Sequence, residues 1–181
     1  MRARIEKQLS DYALNKPCNN VKVPIVIEDP NVKKSNFNHA QDVSCIIPPW
    51  LYLSGLAGAI ESNISQIFSV GVALSTSTHI YGLEDEEHAP LKSVLIDILP
   101  KLKQNSITQT KTLVHCQMGM SRSAACVIAF LMKQAREAGD THTQVELYTN
   151  MLNLVRSIRP CVAPNPGFER IIKEDNSWLI S

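Results

Sequence analysis

Nine consecutive residues carry the chemistry this chain could do: His115-Cys116-Gln117-Met118-Gly119-Met120-Ser121-Arg122-Ser123. Thr112-Leu113-Val114 before them is apolar and rich in β-branched residues, and reads as a buried strand. Ser123 to Ala138 reads as a helix, stopped by Gly139. A cysteine therefore sits where a strand turns into a helix, and an arginine closes the same loop. Such a loop presents backbone N–H groups that lack intrahelical partners, at the positive end of the helix dipole. It is an anion site. Gly119 permits a positive φ, so successive N–H groups can converge, and Arg122 adds a planar fork matched to two phosphate oxygens. The same field acts on Cys116. A free thiol titrates near ~8.5, and surroundings of this kind lower it to about 3.5–7.5; a shift of about three units is worth roughly 4 kcal/mol. Cys116 would then be a thiolate beneath a bound phosphate, able to attack phosphorus and form a phosphocysteine.

His-Cys-x-x-Gly-x-x-Arg-Ser resembles the signature of the cysteine-dependent protein phosphatases. Leu113-Val114-His115-Cys116 through Arg122-Ser123, followed by Ala-Ala-Cys-Val-Ile-Ala-Phe-Leu-Met-Lys, is similar to the small, atypical dual-specificity phosphatases. The resemblance runs over roughly residues 45–175. It implies an α/β fold of the cysteine-phosphatase type, a small central sheet flanked by helices with a strand–loop–helix phosphate-binding loop. It also implies hydrolysis of phosphotyrosine and phosphoserine or phosphothreonine in proteins, without metal or cofactor. Cys116 would be the nucleophile. Arg122 and the loop residues Gln117, Met118, Gly119, Met120 and Ser121 would bind the phosphate. His115 would tune the thiolate and orient the cysteine backbone. The Ser123 hydroxyl would donate to the sulfur and help it leave, a role compatible with capping the helix. Met118 stands where the family usually has a small residue, and with Met120 it would line the pocket rim. The loop holds no lysine, which favours phosphoprotein over lipid, and no tyrosine-bearing recognition loop is visible, which implies a shallow pocket.

A general acid is needed to protonate the leaving oxygen. Within Glu84-Asp85-Glu86-Glu87-His88-Ala89-Pro90, Asp85 matches the position the resemblance assigns to an acid that later serves as base, and Glu84 is the runner-up. The plainer reading is an acidic turn that starts a helix at Pro90. Downstream, Arg159-Pro160-x-x-x-Pro164-Asn165-x-Gly167-Phe168 is similar to a family segment that supports the phosphate loop. Asn165 reads as an N-cap with Pro166 at the first helical position, and the resemblance implies a positioning role for it.

The elements that must hold these residues can be read more coarsely. Length favours one domain plus an extension: residues 1–44 as a flexible N-terminal segment or a docking segment, residues 45–181 as the catalytic domain. Val21 to Ile27 is apolar enough for a strand, confined to an edge by Pro24. Cys45 to Gly55 reads as the first strand of the domain, with Trp50 and Tyr52 in packing roles. A helix with Ile60, Ile64, Ile67 and Phe68 on one face should follow, stopped by Gly71. Val72-Ala73-Leu74 then reads as a short buried strand. Only Ser75 to Thr78 separates it from His79-Ile80-Tyr81-Gly82-Leu83, and parallel neighbours need a crossover of about a dozen residues. The two runs are therefore not expected to be ordinary parallel neighbours; a lost strand or rearranged sheet edge would disturb Asp85. Leu91 to Gln104 has helical spacing that Pro100 should kink or end near Leu99, with Asp97 facing solvent and Asn105 to Lys111 a polar loop. Cys126 reads as inert core. Thr141 and Gln144 fit a capping box for a helix with Val145, Tyr148, Met151, Leu152 and Val155 inward. A last helix packs Phe168, Ile171 and Ile172 and ends near Trp178.

Composition narrows the classes. Net charge is +1, which gives no electrostatic case for nucleic acid. No run approaches the ~18 apolar residues of a membrane span, and Met1 to Ser10 lacks the apolar core of a secretory signal. The five cysteines show no paired or zinc-like spacing and suit a reducing cytosol, so the expected compartment is the cytoplasm, with the nucleus also open. Two rival readings are a catalytically weak phosphoprotein-binding module and an RNA 5′-phosphatase, the latter lacking the expected basic surface. A rhodanese-type sulfurtransferase fits less well, because the downstream Arg-Pro and Asn-Pro-Gly-Phe features match phosphatases. Oligomeric state is not readable.

Overall fold

The computed structural model describes residues 42–179; the readings of an edge strand at Val21 to Ile27 and of a flexible or docking tail lie outside the described residues. In chain order the elements are β1 (Val43–Ile47), β2 (Leu51–Ser54), α1 (Leu56–Glu61), β3 (Gln66–Val70), β4 (His79–Tyr81), α2 (Leu91–Thr108), β5 (Thr112–His115), α3 (Arg122–Glu137), α4 (Gln144–Ile158) and α5 (Pro166–Glu174), with a 3₁₀ turn at Ser177–Leu179. The sheet order is β1-β2-β5-β3-β4. β1 runs antiparallel to β2; the remaining pairs are parallel. This is the expected α/β architecture. No helix among the described residues is long and apolar enough to cross a membrane.

Every residue of β2 and of β5 is buried, as central parallel strands covered on both faces must be. Successive side chains point to opposite faces. Val114, Leu51, Leu53 and Phe68 join the main core, whereas Leu113 and Tyr52 meet Ala59 of α1 in a small cluster. α3 is buried without interruption from Ser123 to Met132, so it is apolar all round and lies within the core. Trp50 packs edge-on against Phe130, centroids 5.6 Å apart, the packing role its sequence position suggested. Ser54 and Ser69 pair with His115 from either side. Three parallel strands thus end at one level, and the loop that follows β5 lies at their carboxyl ends, where open α/β sheets bind ligands.

Several expectations are corrected. Cys45 to Gly55 is not one strand but the hairpin β1–β2, because Pro48 and Pro49, joined by a cis peptide, cannot donate to a ladder and lie in the turn. The helix before Gly71 stops at Glu61, and Ile67 and Phe68 belong to β3. Ile60 is 62% exposed, so the supposed apolar face does not exist. Ser62, Asn63 and Ser65 compete for backbone partners, and the Ser62 hydroxyl donates to the Ala59 carbonyl.

Val72 to Leu74 is not a strand. β3 and β4 are parallel neighbours after all, with Phe68 opposite His79 and Val70 opposite Tyr81. Placing the strand upstream at Gln66–Val70 frees residues 71–78 for the return. Gly71, at φ +87°, starts it. Leu74 N donates to Ser77 Oγ at 2.9 Å, and Thr78 N donates back to the Ile67 carbonyl at 2.9 Å. α2 runs through Pro100 to Thr108, since Pro100 is exposed and Leu95, Ile98, Leu99 and Leu102 pack on the core from both sides of it. The polar loop is therefore shorter than expected. The capping box of α4 is Thr143 with Glu146 rather than Thr141 with Gln144. Val145 is half-exposed, and Leu147 takes its place inside. Asn165 caps α5 and Pro166 opens it, as read; Phe168 and Ile172 are buried, Ile171 half-buried.

Candidate active site

The loop between β5 and α3 is a cradle because its carbonyls are all engaged on the outside. The C=O and N–H of a trans peptide point in opposite directions, so a carbonyl held outward turns the next N–H inward. The Gln117 carbonyl accepts from Leu56 N (3.0 Å), Met120 from Ala163 N (2.9 Å) and Ser121 from Ala125 N (2.8 Å). The Met118 and Gly119 carbonyls accept from Arg159, through Nη2 (3.0 Å) and Nε (2.9 Å). Gly119 has φ +66°, and a Cβ there would overlap the Ser54 carbonyl. Glycine is required on both counts.

Cys116 lies at the floor, 1% exposed. Its sulfur accepts from Gly119 N at 3.2 Å and from the Ser123 hydroxyl at 3.1 Å. Burial by itself pushes the thiol up. The hydrogen bonds from Ser123 and Gly119, with the charge of Arg122, more than offset that and hold Cys116 below the ordinary thiol range. His115 is fully buried. Its Nε2 shares a hydrogen bond with Ser69 Oγ, which is bonded in turn to Ser77 Oγ. Burial, only partly opposed by the Cys116 carbonyl, lowers its pKa. At neutral pH His115 is thus an uncharged brace, and the positive potential at the sulfur comes from Arg122 and the amides.

Arg122 reaches across to the β4 side. Its Nη1 donates to the Leu83 carbonyl at 3.3 Å, and its Nε is buried without a hydrogen-bond partner. Gly71 leaves the space that the guanidinium fills, since a Cβ there would overlap it. Asp85 stands opposite. Its Oδ1 accepts from Ser121 Oγ at 2.6 Å and from Asn165 Nδ2 at 2.9 Å, and its Oδ2 is 3.8 Å from Arg122 Nε. Asn165 also caps α5, accepting from Phe168 N at 2.9 Å. The loop bearing Asp85 rests on that helix end: Arg170 pairs with Glu87 at 2.7 Å, and Gly167 lies against the Glu87 carbonyl with no room for a Cβ. Asp85, Cys116, Arg122 and Asn165 all line one cavity of about 330 Å³, whose rim includes Met118 and Met120.

A family model described as the dual specificity phosphatase catalytic domain matches residues 62–177. The chain belongs to that family. Dual specificity protein phosphatase 19 of mouse is 29% identical over 138 residues, 68% of this chain and 57% of its own length. Rat protein phosphatase Slingshot homolog 3 is 48% identical over 142 residues, 72% of this chain but 20% of its own length. Among solved structures, the Yvh1 phosphatase domain from Chaetomium thermophilum is 25% identical with a TM-score of 0.63, covering 73% of this chain and 94% of that one. The human tyrosine phosphatase-like serine/threonine/tyrosine-interacting protein shares the fold at 19% identity, TM-score 0.61, covering 78% and 99%.

In this dual specificity phosphatase domain the structure brings together Cys116, Gln117, Met118, Gly119, Met120, Ser121, Arg122, Ser123, His115, Asp85 and Asn165 around one loop and cavity. Glu84 is exposed and outside the cavity lining, and Asp97 is bound to Lys101 on the outer face of α2. Cys126, ten residues from Cys116 in α3, is fully buried with its thiol pushed up by burial, as expected of core. Sequence reading missed three supports. Ser121 acts as an acceptor and donor link rather than only as a phosphate ligand. Ser69 braces His115. Arg159 holds two loop carbonyls; its segment reads as loop-supporting in the sequence, but the positioning role is assigned there to Asn165 and not to the arginine.

Proposed function

We propose that this domain hydrolyses phosphotyrosine and phosphoserine or phosphothreonine in proteins by two in-line displacements. The Cys116 thiolate attacks phosphorus and forms the S–P bond as the bond to the ester oxygen breaks, and Asp85 gives that oxygen its proton. Water then attacks the phosphocysteine, Asp85 takes a proton from it, and the S–P bond breaks. The Ser123 hydroxyl, already 3.1 Å from the sulfur, stabilises the returning thiolate. Arg122 and the loop amides hold the charge spread over the equatorial oxygens. The observation that carries this reading is a buried sulfur with two donors on it, sharing one cavity with an arginine and a carboxylate. The cavity lining contains no lysine, which favours phosphoproteins over polyphosphorylated lipid headgroups. A thiolate nucleophile needs reducing surroundings, which the cytoplasm and the nucleus both supply, so the activity is assigned to the cytoplasm with the nucleus also open.

The test is hydrolysis of phosphotyrosyl, phosphoseryl and phosphothreonyl peptides, with acid-quench mass spectrometry of the enzyme. A phosphate adduct on the tryptic peptide containing Cys116, absent from Cys116→Ser, is expected. Undiminished turnover by Cys116→Ser would overturn the reading. Tight phosphopeptide binding with no wild-type turnover would favour the phosphoprotein-binding alternative.

A further inference from the structure

We propose that Arg159 is a positioning residue for the nucleophile: it sets the protonation of Cys116 and the orientation of the cradle through the two peptides on either side of Gly119. Arg159 is 2% exposed. Its Nη2 donates to the Met118 carbonyl at 3.0 Å and its Nε to the Gly119 carbonyl at 2.9 Å. The first of those peptides continues into Gly119 N, which donates to the Cys116 sulfur at 3.2 Å. One planar amide therefore has a guanidinium on its oxygen and the catalytic sulfur on its nitrogen. A cation at the oxygen draws electron density along the amide and strengthens the N–H as a donor. It also stops the peptide from flipping, which would turn a carbonyl toward a thiolate and an incoming phosphate. The second peptide fixes Met120 N–H in the same sense.

The rest of the side chain is anchored at the domain's first strand. Nη1 donates to the Asp42 carbonyl at 2.9 Å and to Ser44 Oγ at 3.2 Å. The guanidinium is thus held from behind by β1 while it holds the cradle in front. Among the described residues Arg159 lies outside the cavity lining, so it acts through the loop and not on the substrate. Two guanidinium groups thus act on opposite sides of one backbone. Arg122 supplies charge where the phosphate sits, and Arg159 supplies it on the reverse side.

This inference rests on Cys116 being the thiolate nucleophile, and the experiment separates the two. The rate of iodoacetate alkylation of Cys116 is followed against pH, and inhibition by inorganic phosphate is measured, for wild type, Arg159→Lys, Arg159→Gln and Arg159→Met. Lysine keeps the charge; glutamine keeps a donor without it. The Gln and Met variants are expected to raise the apparent thiol pKa by about one unit and weaken phosphate inhibition about tenfold. Arg159→Lys should recover most of both. If Arg159→Met does not fold, the Lys and Gln pair decides. Loss of thermal stability in Lys and Gln with the alkylation profile left at the wild-type position overturns the positioning role and leaves a purely structural one. An ordinary thiol profile in the wild type would instead overturn the nucleophile reading itself.

Discussion

The phosphate loop and the loop bearing Asp85 face each other across one cavity and are built in different ways. The phosphate loop is continuous in sequence, and its partners are chiefly backbone amides. Its key atoms are buried: Cys116 at 1% and Ser123 at 0% exposure. Asp85 comes from a surface turn and is held by side chains from distant points in the chain, Ser121 and Asn165, with 39% of its own side chain exposed. Backbone donors locked by outward-facing carbonyls cannot rearrange without unfolding the loop. Side-chain contacts at a wet edge can exchange with water at little cost. The half of the site that holds the sulfur is therefore fixed by backbone, and the half that holds the carboxylate is adjustable.

The largest expected effect tests the rigid half. Cys116→Ser should lower kcat on a small phosphate ester on the order of 10⁴-fold or more, while phosphate still binds, since the cradle and Arg122 remain. Asp85→Asn should lower kcat by about 10²-fold or more on alkyl and aryl phosphates with poor leaving groups and much less where the leaving group needs no proton; equal losses on both would remove Asp85 from the acid role. Asn165→Ala should cost roughly tenfold in kcat by loosening Asp85, and about 1 kcal/mol of stability through the lost cap of α5. Equal kcat in Asn165→Ala and wild type would show that Ser121 alone holds the acid.

Smaller effects sharpen the contrast. Cys116 and Cys126 are equally buried, yet the donors and the nearby cation at the first outweigh burial, whereas at the second burial and the neighbouring Cys116 dominate and push the thiol up. Alkylation at pH 7 should label Cys116 and spare Cys126, as read by peptide mass spectrometry. The linkage has a definite sign. The Cys116 pKa is depressed in the fold, so its contribution to stability is present above the ordinary thiol pKa and is lost as pH falls through the depressed value. His115 is also depressed. The unfolded chain takes up its proton first, so Tm should fall as pH drops through the ordinary histidine range near ~6.5. Smallest of all, Thr143→Ala should cost about 1 kcal/mol in a denaturant melt with kcat unaltered, because Thr143 caps α4 and does not line the cavity.

The candidate site was legible in the chain because the cysteine, arginine and glycine lie in one short run, and a strand and a helix of clear pattern bracket it. Local signals also sufficed at Asn165 and Pro166, where cap chemistry is written in adjacent residues. They misled between residues 56 and 83. A short apolar run such as Gln66 to Val70 has no period that separates strand from helix, and the misplaced strand made an ordinary parallel pair look impossible. At Pro100 the local rule was real but outweighed, since burial of Leu95, Leu99 and Leu102 exceeds what one missing hydrogen bond costs.

What residue order alone determined is the cysteine-to-arginine loop and the element boundary at which its amides are exposed, because both depend on neighbours a few bonds apart. Which carboxylate faces the sulfur, and which cation braces the loop from behind, follow from packing. Asp85 and Asn165 are eighty positions apart and Arg159 and Gly119 forty, and at those separations only the packing of the elements that carry them brings the groups into contact.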